Sequence, residues 1–192
     1  MEALFISTAA VALAEIGDKT QLLAFVLAAR FRKPWPVVAG IFVATVLNHA
    51  LAAWVGTLVA AWLTPQVLSW GLGVSFLAMG IWTLIPDKAG EEPEAVTSRF
   101  GPFIATAIAF FLVEMGDKTQ IATAALGARF QDLFLVASGT TAGMLIADVP
   151  AVFLGGAAAT RLPMQLVRGS AAAIFIALGA VGILNALGLV QQ

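Results

Sequence analysis

The sequence contains no cysteine, no tyrosine and a single histidine, and only 11% of its 192 residues are charged. Without cysteine the chain has no disulfide, no thiolate metal ligand and no cysteine nucleophile. One histidine without a His-Glu-x-x-His pattern leaves too few parts for a histidine-dependent metalloprotease. Ten basic and eleven acidic residues give a net charge of −1, which says nothing useful about partners, although we expect no binding to nucleic acid. The composition favours neither an enzyme nor a nucleic-acid-binding protein.

Long apolar runs are what the sequence does have. Hydrophobic residues make up 60% of the chain and the mean hydropathy is +0.96, which is typical of an integral membrane protein. Because about 20 apolar residues span a bilayer as a helix, we predict an all-α protein with six transmembrane segments. They cover about residues 3–28, 36–62, 67–85, 102–128, 133–159 and 165–189. The first segment lacks a preceding basic stretch, so we expect a retained helix and not a signal peptide.

The first half of the sequence is repeated in the second half at a constant offset of 99 residues. EIGDKTQLLAFVLAARF, starting at Glu15, and EMGDKTQIATAALGARF, starting at Glu114, are identical at ten of seventeen positions. Three segments are an odd number, so the two copies should cross the membrane in opposite directions. The sequence therefore predicts inverted three-helix repeats over residues 1–85 and 102–192, joined by an acidic cytoplasmic linker over 86–101 into one transporter domain.

Both copies place ionisable side chains inside an apolar run. A charged side chain at the centre of a transmembrane helix costs about 2.5–3.5 kcal/mol on insertion scales, so such residues should pair or bind an ion. Bringing the copies together gathers four carboxylates and several neutral oxygens, a ligand set that suits Mn²⁺, Ca²⁺ or Mg²⁺. The predicted metal ligands are Glu15, Asp18, Glu114, Asp117, Thr20, Thr119, Gln21 and Gln120, with Lys19 and Lys118 compensating part of the charge.

Local geometry adds detail to this hypothesis. Glu15, Asp18 and Gln21 are spaced by three residues, so we expect them on one face of a helix. Gly17 and Gly116 weaken the helix within each motif and are expected to break it, which would expose backbone carbonyls. Alternatively, Glu15 with Lys19, or Asp117 with Lys118 of a neighbouring helix, forms a buried ion pair that fixes helix register and binds no metal. The carboxylates outnumber the lysines by two, however, so pairing alone leaves charge uncompensated. The threonines and glutamines would serve equally well as hydrogen-bonding groups between helices.

The duplicated motif Glu-x-Gly-Asp-Lys-Thr, present as EIGDKT and EMGDKT without a substitution, resembles that of the GDT-type cation/proton antiporters. This family includes the Golgi manganese transporter and its chloroplast and bacterial relatives, and the resemblance covers essentially the whole chain. It implies exchange of Mn²⁺ or Ca²⁺ for protons, with the metal as substrate and no cofactor. The implied cation site consists of Glu15, Gly17, Asp18, Lys19 and Thr20 with Glu114, Gly116, Asp117, Lys118 and Thr119.

Further polar residues lie in the second and fifth predicted segments. His49 and Asp148 are related by the offset of 99, and Asn48 precedes the histidine. We expect His49 and Asp148 to face each other. As functional residues, this group would be a proton relay or outer ligands of the metal, because histidine changes its charge near neutral pH. As a structural pair, His49 and Asp148 would hold two helices together.

These observations predict a secondary transporter of the bacterial inner membrane that exports a divalent metal, Mn²⁺ before Ca²⁺, in exchange for protons. Its partners are then the metal ion, protons and membrane lipid. Two other functions would use the same residues. One is a metal-gated channel or membrane metal sensor built on the same acidic cage. The other, less favoured, is an exporter of small organic solutes, suggested by the two lysines.

Lysine and arginine residues in short loops predict the orientation. With the N-terminus outside, only Arg129 among the loop residues lies outside, and seven basic residues lie on the cytoplasmic side. These are Arg30, Arg32, Lys33, Lys88, Arg99, Arg161 and Arg168. Both termini should therefore be outside and the loop around residues 91–94 cytoplasmic. A reporter that is active only in the cytoplasm should be inactive when fused after Gln192, and activity of that fusion would reverse the predicted topology.

Overall fold

The computed structural model describes residues 1–85, 100–154 and 164–190. Residues 86–99 of the predicted linker and 155–159 of the predicted fifth segment lie outside the described residues. The described part of the chain contains eight helices and no strand. The helices are α1 (Glu2–Glu15), α2 (Lys19–Phe31), α3 (Pro34–Trp62), α4 (Pro65–Thr83), α5 (Pro102–Glu114), α6 (Lys118–Phe130), α7 (Leu133–Leu154) and α8 (Met164–Ala186).

Four of these helices are long and apolar enough to cross a membrane. They are α3, α4, α7 and the part of α8 from Gln165 to Ala186, while α5 is a shorter apolar helix. The all-α class is thus confirmed, and the protein is an integral membrane protein. The predicted segments at 3–28 and 102–128 are each divided into two helices, α1 with α2 and α5 with α6, separated by three residues.

The expectation that Glu15 and Asp18 share one helix face is wrong. Glu15 is the last residue of α1, and Asp18 is the N-cap of α2. The reason is the backbone of the glycine between them, since Gly17 has φ 80° and its equivalent Gly116 has φ 82°. This left-handed conformation ends a right-handed helix, and residues with a Cβ rarely adopt it.

The two interruptions have the same conformation residue by residue. The residues before the glycines, Ile16 and Met115, have φ/ψ of −60°/116° and −67°/116°. The residues after them, Asp18 and Asp117, have φ/ψ of −83°/170° and −76°/167°. Sequence identity at the motif is therefore matched by identity of backbone geometry.

Each broken helix packs against the long helix that follows the motif in the other repeat. A Cβ on Gly40 of α3 would lie 2.7 Å from the carbonyl oxygen of Phe103 in α5, and one on Gly139 of α7 would lie 2.6 Å from that of Leu4 in α1. Both residues of the first pair are 99 positions from those of the second. Small residues at such contacts allow close helix packing in membranes. These two equivalent contacts pack each repeat closely against the other.

Helices α4 and α8 meet in contacts that also occur in equivalent pairs. The rings of Phe76 and Phe175, which are 99 residues apart, stack with centroids 6.3 Å apart. A Cβ on Gly80 would lie 2.7 Å from Cγ1 of Ile176, and one on Gly179 would lie 2.8 Å from Cγ of Leu77. Contacts that repeat with the two partners exchanged are those that a two-fold axis generates.

The close approach of α4 and α8 should be sensitive to a single methyl group. A Cβ on Gly182 would lie 2.9 Å from both the Cα and the nitrogen of Gly73, whereas one on Gly71 meets nothing within 4 Å. We expect Gly182→Ala to lower the free energy of unfolding by about 1–3 kcal/mol, because backbone atoms cannot move aside. The matched control Gly71→Ala should be neutral or stabilising, since alanine favours helices by about 1 kcal/mol over glycine. Thermal unfolding in detergent measures both, and equal melting temperatures would contradict this packing.

Candidate metal site

The two motifs meet inside the protein through a crossed pair of salt bridges. Lys19 Nζ lies 2.6 Å from Oδ1 of Asp117, and Lys118 Nζ lies 3.2 Å from Oδ2 of Asp18. Each lysine thus pairs with the aspartate of the other repeat. The pairing of Glu15 with Lys19 that we considered is not among these contacts. The two ion pairs connect the N-terminal ends of α2 and α6 and bring the two interruptions together.

The glutamates of the two motifs lie beside these ion pairs. One oxygen each of Glu15, Glu114 and Asp117 lies within 4.8 Å of the other two, and both glutamates are completely buried. Oε1 of each glutamate and Oδ2 of Asp117 have no hydrogen-bond partner within the described part of the chain. Like charges at this separation repel strongly in a low-dielectric interior. A divalent cation or protons would relieve that repulsion, so this arrangement is suited to binding either.

The threonines of the motifs orient the glutamates. The hydroxyl of Thr20 donates to Oε2 of Glu15 at 2.6 Å, and the hydroxyl of Thr119 donates to Oε2 of Glu114 at 3.0 Å. All four side chains are buried. Each threonine therefore fixes the position of Oε2 of its glutamate, while Oε1 has no hydrogen-bond partner among the described residues.

The glutamines stabilise the interruptions. Oε1 of Gln21 accepts a hydrogen bond from the backbone N–H of Gly17 at 3.0 Å, and Oε1 of Gln120 accepts one from Gly116 at 2.7 Å. A backbone donor without a partner at membrane depth is costly, because lipid offers it no hydrogen bond. The side-chain oxygens that we predicted as metal ligands are thus already engaged in satisfying the broken helices.

The amide nitrogens of the same glutamines connect each interruption to the opposite repeat. Nε2 of Gln21 donates to the carbonyl oxygen of Ala147 at 2.8 Å, and Nε2 of Gln120 lies 3.2 Å from Oδ1 of Asn48. Asn48 in turn donates to the carbonyl oxygen of Phe111 at 3.0 Å. Sequence analysis missed the contact at Ala147. The offset of 99 relates it to Asn48, and that was the signal available.

His49 and Asp148 do not form the pair that we expected. Both are completely buried, but neither ring nitrogen of His49 and neither oxygen of Asp148 has a hydrogen-bond partner in the described ranges. Helix α7, which carries Asp148, packs against α1 and α2, and the carbonyl oxygen of the neighbouring Ala147 accepts the hydrogen bond from Gln21. Asp148 therefore lies in the part of α7 that contacts the first motif.

Comparison with known proteins agrees with the duplicated motif. A family model described as divalent cation/proton antiporter GDT1 matches residues 3–91 and 102–189. A Vibrio cholerae protein, named as a candidate manganese exporter, is 55% identical over 177 residues, 92% of this chain and 88% of the relative. GDT1-like protein 3 of Arabidopsis thaliana is 27% identical over 203 residues, 91% of this chain and 68% of the relative. No solved structure matches the chain.

The two crossed ion pairs should differ in their contribution to stability. The side chain of Lys118 is 5% exposed and that of Lys19 is 26% exposed, so loss of Lys118 leaves the more deeply buried uncompensated charge. We expect Lys118→Met to lower the free energy of unfolding by about 3–5 kcal/mol, the usual cost of breaking a buried pair, and Lys19→Met to lower it less. The double variant Lys118→Met/Asp18→Asn should recover most of the loss. Thermal unfolding of the metal-free protein at neutral pH tests this, and equal effects of the two single substitutions would contradict it.

Proposed function

This chain belongs to the GDT1 family of divalent cation/proton antiporters, and we propose that it exports Mn²⁺ from the cytoplasm in exchange for protons, with Ca²⁺ as second substrate. The observation that carries this proposal is the convergence of Glu15, Glu114 and Asp117 within 4.8 Å from two broken helices. Manganese is placed first because the 55% identical relative from Vibrio cholerae is named for manganese export. That relative also favours the bacterial inner membrane as the location.

We propose a fold of six transmembrane segments arranged as two inverted repeats, 1–85 and 102–192, joined by a cytoplasmic linker over 86–101. The contacts between α4 and α8 support the inversion. Gly80, late in α4, lies against Ile176 at the middle of α8, and Gly73, earlier in α4, lies against Gly182 near the end of α8. Contact positions that run in opposite directions indicate antiparallel helices. A two-fold axis between antiparallel spans lies in the membrane plane, which is the symmetry of inverted-repeat transporters, and both termini are then outside.

In the proposed cation site the metal binds between the two interruptions. We assign Glu15, Glu114 and Asp117 as its central ligands, because one oxygen of each lies within 4.8 Å of the other two and each has an oxygen without a hydrogen-bond partner among the described residues. Asp18, held by Lys118, completes the set of motif carboxylates. Thr20 and Thr119 orient the glutamates, and the glutamines support the broken helices. Oxygen ligands from carboxylates are the coordination that Mn²⁺ and Ca²⁺ favour.

Charge gives the site its means of coupling metal to protons. The four motif carboxylates carry −4 when ionised and the two lysines carry +2, which leaves −2 in the empty site. Excess charge of this kind is costly inside a membrane. Bound metal and bound protons would neutralise the same oxygens, so each displaces the other. Exchange of metal for protons then follows if the protein switches between its inward-open and outward-open conformations only when the negative charge of the site is compensated.

A channel or sensor with the same cage is the alternative from another functional class. Glu15 and Glu114 have no exposed surface, which favours an occluded site and a conformational change over a continuous pore. Purified protein in liposomes with an acidic interior should accumulate Mn²⁺ against its concentration gradient, and collapse of the pH gradient should stop this. Passive Mn²⁺ flux that ignores the pH gradient would favour the channel. Parallel assays with Ca²⁺ and Mg²⁺ establish the order of preference.

The two glutamates should be equally necessary for transport. Glu15→Gln and Glu114→Gln each remove one charge and one strong ligand from a shared site. Because even residues that only support a metal ligand contribute about 10–100-fold, we expect transport to fall at least about tenfold in each variant, with normal elution on size exclusion. Glu2→Gln, the same substitution at the other end of α1, is the matched control and should retain transport. Full activity in either glutamate variant would refute a site shared by both repeats.

A further inference from the structure

Asp148 is an acidic side chain that the duplicated motif does not account for. It lies in α7 with no exposed surface, and neither of its carboxylate oxygens has a hydrogen-bond partner within residues 1–85, 100–154 and 164–190. Burial of a carboxylate without a partner is strongly unfavourable, and buried polar groups are nearly always satisfied. A carboxylate in this position needs a group that compensates its charge, and a bound cation would provide that compensation.

Asp148 lies in α7 beside the first motif. Helix α7 packs against α1 and α2, the two helices that the first interruption separates. The backbone next to Asp148 is hydrogen-bonded to the first motif, because Nε2 of Gln21 donates to the carbonyl oxygen of Ala147 at 2.8 Å. This hydrogen bond holds the middle of α7 against the start of α2. Asp148 is therefore kept beside the proposed cation site by a contact that the motif itself supplies.

The two repeats differ at this position. The residue equivalent to Asp148 is His49, whereas the charged residues of the two motifs are identical. His49 is buried and its ring nitrogens are also without hydrogen-bond partners among the described residues. A neutral imidazole contributes no negative charge. An extra carboxylate on one side therefore makes an otherwise duplicated site asymmetric.

We propose that Asp148 is a fifth carboxylate of the cation site, supplied by the second repeat alone, and that it increases the affinity of the site for divalent cations. This inference rests on the proposed function. The affinity of an oxygen-ligand site rises with the number of its charged ligands, so an unpaired acid beside the cage strengthens it whether it binds the metal directly or through its charge. A structural role would require a hydrogen bond or ion pair with another helix, and the described residues provide none.

The decisive variant is Asp148→Asn, which keeps the shape of the side chain and removes its charge. The full-length protein in detergent is titrated with Mn²⁺ by calorimetry, and thermal unfolding is followed with and without Mn²⁺. We expect the Kd for Mn²⁺ to rise about tenfold or more. The melting temperature of the metal-free protein should stay the same or rise, because an unpaired buried charge is gone. The increase in melting temperature that Mn²⁺ produces should become smaller, since that increase follows affinity.

The matched control is Thr141→Val. Thr141 lies two turns earlier in α7, is buried, and has a hydroxyl without a hydrogen-bond partner among the described residues. Its replacement removes a comparable polar group while changing no charge, so the Kd for Mn²⁺ should remain within about threefold of the parent value. Asp148→Glu, which retains the charge, should bind Mn²⁺ more tightly than Asp148→Asn and provides a second measurement if the asparagine variant does not fold.

Two results would overturn the inference. In the first, Asp148→Asn binds Mn²⁺ within about threefold of the parent. In the second, its metal-free melting temperature falls while the shift produced by Mn²⁺ is unchanged, which is the behaviour of a structural residue. Failure of the proposed function would look different, because the parent protein itself would then neither bind Mn²⁺ nor transport it with a pH gradient.

Discussion

The structure depends on one electrostatic constraint, namely that several ionised groups must be accommodated in a low-dielectric interior. Four motif carboxylates face two lysines, so ion pairing alone cannot neutralise them. Both ion pairs found here use aspartates, and neither glutamate takes part in them. In this crossed arrangement each aspartate is paired with the lysine of the other repeat. The two halves must therefore meet at their motifs, and the residual negative charge remains available for a cation or protons.

The broken helices follow from the same constraint. A continuous helix would satisfy all its backbone hydrogen-bonding groups internally and would leave no backbone group available at the site. Gly17 and Gly116 instead turn the chain at positive φ. That turn brings the end of one helix and the start of the next to the same point. The polar groups exposed by the turn are then satisfied locally, by Gln21 and Gln120 on the glycine N–H groups. Irregular backbone at membrane depth is tolerated where its hydrogen-bonding groups find such partners.

Pseudo-symmetry has a functional consequence. Contacts between α4 and α8, and between each broken helix and the opposite repeat, occur twice with the partners exchanged. The proposed inverted-repeat fold would let the two halves exchange roles, so that the site opens to either side. The difference between His49 and Asp148 limits that equivalence, since the acid belongs to the second repeat alone. The charge beside the proposed cation site then differs between the two repeats even though the motif charges are the same.

The sequence by itself determined the membrane class, the all-α fold, the duplication and the family, because composition and a repeat with a fixed offset do not depend on long-range packing. It also pointed to the acidic residues that we propose for the cation site, since ionisable groups in apolar runs need a partner. Tertiary structure decided which groups meet. Lys19 pairs with Asp117 across the repeats, Gln21 supports Gly17, and His49 and Asp148 do not hydrogen-bond to each other. A linear pattern shows which side chains must be neutralised. Only the packing of α7 along α1 and α2, and of α3 along α5 and α6, brings specific atoms within reach of each other.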